Sequence, residues 1–118
     1  MKKTIITILI IIGFIFAFYK LTSQKSDFIL FYGNTCPHCK VVEEFITTNQ
    51  IDQKLKISQL EVYENKSNTS VFVNMVKEIC PDQSNPDGLP VPFLIDQKDK
   101  KCILGDAPIN EYLSEKSK

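Results

Sequence analysis

The stretch FILFYGNTCPHCKVVEEFI, residues 28–46, sets an apolar run before a Cys-x-x-Cys pair and a helical pattern after it. Phe28 to Tyr32 is continuously apolar, as in a strand buried on both faces. From Pro37 to about Asn49, Val41, Val42, Phe45 and Ile46 fall on one side of a helix, with Lys40, Glu43 and Glu44 on the solvated side. Cys36 and Cys39 thus stand at a helix N-terminus, where unsatisfied N–H groups and the positive end of the dipole stabilise a thiolate. Pro37 at the first helical position costs nothing, because its missing N–H would have had no partner. His38, when protonated, adds positive charge. Such surroundings lower a cysteine pKa from roughly 8.5 to about 3.5–7.5. A stabilised thiolate favours the dithiol and makes the disulfide the more oxidising form. Cys36 and Cys39 are therefore read as a redox pair, with Pro37 and His38 tuning it.

The pair has two other readings. A structural zinc site wants four ligands, usually as two close pairs. Cys80 and Cys102 stand alone and the single histidine lies inside the motif, so no metal is expected. A purely structural short-loop disulfide would not need the strand-to-helix placement.

The chain has 118 residues, 14 lysines and no arginine, 14 acidic residues and zero net charge. That suits one small domain and gives no basic cluster for nucleic acid. Residues 1–26 are set apart as a signal anchor or signal peptide. Ile5 to Tyr19 is apolar apart from Thr7 and Gly13, and residues 4–21 together approach the span of a membrane helix. A small-x-small cleavage site is poor, since Ala17 is followed two residues on by Tyr19, and Leu21 with Ser23 is weaker still. The segment is read as an uncleaved anchor, with cleavage to a secreted or periplasmic form as the alternative. Lys2 and Lys3 put the N-terminus inside, although Lys20 and Lys25 pull the other way. Residues 27–118 form the domain, outside the cytoplasm, where disulfides persist.

Further along, Leu55 to Tyr63 reads as a second strand whose apolar positions change phase after Ile57. Glu64 to Ser67 reads as a turn, with Asn68 or Thr69 capping a helix whose apolar stripe is Val71, Phe72, Met75, Val76 and Ile79. Pro81 to Pro90 is a loop. Phe93 to Ile95 and Lys101 to Leu104 are strands joined by a polar turn, and Gly105-Asp106 introduces a last helix carrying Ile109, Tyr112 and Leu113.

This order of elements, with Cys36-Pro37-His38-Cys39 ending the first strand and Pro92 entering the third, resembles the thioredoxin fold over about residues 27–115. The expected architecture is α/β: a four-stranded mixed sheet with flanking helices behind an N-terminal hydrophobic helix. The motif is similar to that of periplasmic disulfide oxidases of the DsbA type, while the short core is closer to glutaredoxins. The chain departs from thioredoxin at Thr35, where that family has tryptophan, and at Leu30, where it has a buried acid. The resemblance implies that Cys36 is the exposed nucleophile, Cys39 the resolving thiol and Pro92 a cis proline facing the site. Thr35 and Val91 would flank the substrate groove, and no cofactor beyond the Cys36–Cys39 disulfide is implied.

Cys80 falls on the apolar face of its helix and Cys102 shares a strand face with Leu104. Buried free thiols, a structural disulfide between them and a second, electron-relaying pair all remain open. The chain as a whole reads as a membrane-tethered thiol–disulfide oxidoreductase. Its partners would be cysteine-containing exported proteins and a redox partner that resets the dithiol. The other readings are a non-catalytic client-binding or assembly factor and a glutathione-dependent reductase.

Overall fold

A computed structural model describes residues 1–22, 25–85 and 88–118. The expected cleavage region at Ser23 and Gln24, and Pro86 and Asp87 of the expected loop, lie outside the described residues. The elements run α1 (Lys2–Thr22), β1 (Phe28–Tyr32), α2 (Pro37–Thr48), α3 (Ile51–Lys54), β2 (Ile57–Glu61), α4 (Lys66–Ile79), a 3-10 turn (Pro81–Gln83), β3 (Phe93–Asp96), β4 (Lys101–Leu104) and α5 (Asp106–Lys116). Within α1, the window Lys2–Tyr19 is long and apolar enough to cross a membrane, and none of it is buried against the rest of the chain.

The sheet order is β2-β1-β3-β4. β1 pairs with β2 in parallel and with β3 antiparallel, and β3 pairs antiparallel with β4. Each face of the sheet carries its own core. On one face Phe28, Leu30 and Leu94 meet Val42 and Ile46 of α2, Ile51 of α3, and Ile109 and Leu113 of α5. On the other, Phe31, Phe93 and Ile95 meet Phe72 and Val76 of α4, with Phe31 stacked on Phe72 at 4.3 Å between ring centroids. Each fully buried side chain of this kind contributes about 1.5–3 kcal/mol. β1 lies inside both layers, which is why its sequence is apolar without alternation.

Several local expectations are corrected. β2 is shorter than Leu55 to Tyr63, and its change of phase has a simple cause: Leu55 and Ile57 pack into the first core, Leu60 and Val62 into the second. α4 starts earlier than expected. Asn65, and not Asn68 or Thr69, caps it, its side chain accepting the Asn68 N–H at 3.1 Å. Val41 and Val71 do not join the core and are 46% and 40% exposed. α3 was not anticipated; Gln50, at φ 53°, takes the left-handed turn that restarts the helix, and Ile51 then reaches the core. Cys80 lies just past α4 as its C-cap, not on the helix face, and is bonded to Cys102 across Cα atoms 6.4 Å apart. Neither sulfur is a buried free thiol.

Candidate active site

The site forms where β1 hands over to α2. Gly33 leaves the strand, Asn34 and Thr35 turn, and Cys36 is the N-cap of α2 with Pro37 in its first turn. Cys36 Sγ accepts the Cys39 N–H at 3.2 Å, so the sulfur occupies the position where an anion is best stabilised at a helix start. Cys36 and Cys39 are bonded to each other, their Cα atoms 5.3 Å apart.

Cys36 was expected to be exposed. It is only 6% exposed, against 0% for Cys39. The cover comes from far along the chain: the Val91 carbonyl oxygen lies 3.8 Å from Cys36 Sγ. The Val91–Pro92 peptide bond is cis. Cys36 nevertheless opens onto a groove of about 450 Å³ lined by Thr35, Pro37, Lys40, Val41 and Glu44. A partner sulfur can therefore approach Cys36 from the groove, while Cys39 is closed off behind it.

Gly33 serves the inner sulfur. Its N–H donates to Cys39 Sγ at 3.5 Å. A Cβ on Gly33 would stand 2.2 Å from the Tyr63 ring, so only glycine lets that ring lie over the turn. Tyr63 is placed by Glu61, whose carboxylate accepts the N–H groups of Tyr63 at 2.6 Å, Glu64 at 3.0 Å and Asn65 at 3.1 Å. Burial pushes the Glu61 carboxyl up, but these N–H groups and that of Asn34 outweigh it and hold the group below its ordinary range.

His38 points away from the core, toward α5. Its Nδ1 lies 3.0 Å from Asp106 Oδ2, and the His38 side chain is 73% exposed. The hydrogen bond from His38, then that from the Ala107 N–H, hold the Asp106 carboxyl below its ordinary range. α5 is tied to the same corner, because Gly105 donates to the Pro92 carbonyl oxygen at 3.1 Å. Gly105 caps the helix at φ 95°, a conformation that favours glycine.

The structure thus brings Thr35, Cys36, Pro37, His38, Cys39, Val91 and Pro92 to one corner of the domain. Cys80 and Cys102 are joined elsewhere, at the end of α4 and on β4. Sequence reasoning missed Gly33, Tyr63 and Asp106. A lone glycine after a buried strand is a signal for close approach, whereas nothing near Asp106 in sequence announces a partner 68 residues away.

No protein-family model and no curated protein matches the chain. Among solved structures it is similar to the glutaredoxin of Methanosarcina mazei Go1, with 24% identity over 75% of this chain and 78% of that one, and a TM-score of 0.50. It is also similar to the glutaredoxin (grx-1) of Archaeoglobus fulgidus, with 20% identity over 75% and 86% of the two chains and a TM-score of 0.49. At such identity the likeness is one of fold. Together with the sheet order and the Cys-x-x-Cys pair at the start of α2, the likeness to the Methanosarcina mazei chain makes this a thioredoxin-like fold behind an apolar N-terminal helix.

Proposed function

We propose that this protein is a membrane-tethered thiol–disulfide oxidoreductase acting on cysteine-containing exported proteins. One observation carries the reading: a bonded Cys36–Cys39 pair at a helix N-terminus, beside the Val91 carbonyl and open to a groove at the outer cysteine. In the oxidising direction a client thiolate attacks Cys36, Cys39 leaves, and a second client thiolate releases the client disulfide. In the reducing direction Cys36 attacks a client disulfide and Cys39 resolves the mixed species. Direction depends on the partner that resets the pair. No cofactor beyond the disulfide is required.

The apolar helix Lys2–Tyr19 supports the tether. With Lys2 and Lys3 inside, the redox domain lies on the extracytoplasmic side. The experiment is oxidation of a reduced, unfolded cysteine protein in a glutathione buffer by the full chain in detergent. Catalysis that disappears in Cys36→Ala is expected; none from the wild type would reject the reading. Salt-washed membranes should retain the protein, with the domain open to external protease. A glutathione-dependent reductase is the second reading, favoured by the glutaredoxin-like shape; it predicts catalytic reduction of a small-molecule disulfide by glutathione, with glutathione oxidised to its disulfide and no client protein needed.

A further inference from the structure

The oxidising step needs a client thiolate, yet an ordinary cysteine with a pKa of about 8.5 is mostly protonated near neutral pH. The corner around Cys36 contains a group suited to that proton. Asp106 Oδ2 stands 3.0 Å from His38 Nδ1, and an ionised carboxylate can only accept, so Nδ1 carries the hydrogen. In the neutral imidazole the basic nitrogen is then Nε2, on a ring that is 73% exposed. The carboxylate is itself fixed, since its other oxygen accepts the Ala107 N–H at 2.9 Å. The N–H of its neighbour Gly105 donates a hydrogen bond to the Pro92 carbonyl oxygen, and the Val91 carbonyl reaches Cys36 Sγ. The contacts from His38 through Asp106, Gly105, Pro92 and Val91 therefore return to the sulfur two residues before His38.

We infer that His38 is the proton acceptor for the incoming client thiol and that Asp106 is the positioning residue that keeps its Nε2 free. The inference rests on the thiol–disulfide exchange proposed above. In the step, the client S–H proton passes to Nε2 and the client thiolate attacks Cys36 Sγ. The Cys36–Cys39 bond breaks and its electron pair leaves on Cys39. The client sulfur is oxidised to a mixed disulfide, Cys39 is reduced, and the imidazolium returns its proton to solvent. Lys40 and Glu44 are the charged side chains of the groove beside Cys36, and Asp106 is the ionisable group that α5 sets against His38.

The probe is a synthetic peptide with two reduced cysteines, mixed with the oxidised full chain in detergent micelles. Acid-quenched mass spectrometry follows peptide oxidation between pH 6 and 10. At pH 7, His38→Asn and Asp106→Asn should each slow the reaction about tenfold to a hundredfold, at or below the low end of general-base effects because the ring is exposed. The Asp106→Asn amide can donate to Nδ1 and so turn the lone pair away from Nε2. Asp106→Glu should keep most of the rate. Both defects should vanish above about pH 9, where the peptide is already thiolate. A merely electrostatic role predicts the opposite, since removing the Asp106 charge favours thiolates and would leave the pH 7 rate equal or higher. That result, or a loss confined to Glu44→Gln, overturns the assignment. A wild type that fails to oxidise the peptide even at pH 10 would instead reject the exchange activity itself.

Discussion

Cutting the Cys80–Cys102 bridge should cost the domain a large share of its stability. The bridge joins residues 22 apart in sequence, from the C-cap of α4 to the edge strand β4. Constraining a loop of that length in the unfolded chain is worth about 3 kcal/mol in the chain-entropy account. For a domain near 100 residues each kcal/mol moves the melting temperature by roughly 4–8 °C, so a fall of about 12–24 °C is expected. The enclosed loop also carries Leu89 and Val91, which pack on the second core, and leads into Pro92. Losing the bridge should therefore loosen the cover over Cys36 as well. The assay is calorimetric melting of a Cys36→Ser, Cys39→Ser variant, with and without reductant, so that only this pair can respond. Thiol titration of the denatured, unreduced protein should find none free. Two free thiols, or a reductant effect under about 3 °C, would refute the reasoning.

Asp96 is 1% exposed and accepts from Tyr112 Oη at 2.8 Å and from the Lys98 and Asp99 N–H groups at 2.9 Å. Asp96→Ala strands those donors and should cost about 2–4 kcal/mol in urea denaturation, with less than about 1 kcal/mol speaking against it. Burial, then the hydrogen bond to Asp96 and its charge, hold Tyr112 above the ordinary phenol value of 10.0. A raised folded pKa means that this contribution is whole below pH 10 and is lost as pH climbs through the folded value. Stability should thus fall more steeply above pH 10 in the wild type than in Tyr112→Phe; parallel pH profiles would contradict this. Gly33→Ala must displace the Tyr63 ring and should cost about 1–3 kcal/mol. Tyr63→Ala removes the obstacle, so the double variant should cost less than the sum of the two, and simple additivity would count against the contact.

Much of this protein was legible locally. The apolar run at Phe28–Tyr32, the stripe at Phe72, Met75, Val76 and Ile79, and the turn between β3 and β4 all declare themselves within a dozen residues. β2 was readable only in part, because its half-buried apolar residues pack on both faces of the sheet and so show a change of phase that looks like a break. α3 escaped because its start depends on Gln50 adopting a left-handed backbone, which its side chain does not advertise. The mixed four-stranded sheet came with the resemblance and not from any local pattern, and its strand order only from the structure. Around the site, sequence placed the two sulfurs at the helix start but not their burial. The cover on Cys36 arrives from Val91, 55 residues away, and the partner of His38 from α5. Such contacts belong to the folded chain. The pairing of Cys80 with Cys102 stayed open for the same reason.

The central claim is that Cys36 attacks or is attacked and Cys39 resolves, since Cys36 faces the groove and Cys39 is shut behind it. The most direct test is to express Cys39→Ala and Cys36→Ala separately, quench the cells with acid, block free thiols and separate the products without reductant. Cys39→Ala should accumulate reductant-sensitive mixed disulfides with client proteins, and Cys36→Ala should accumulate none. Equal trapping by both variants, or trapping by Cys36→Ala alone, would contradict the assignment.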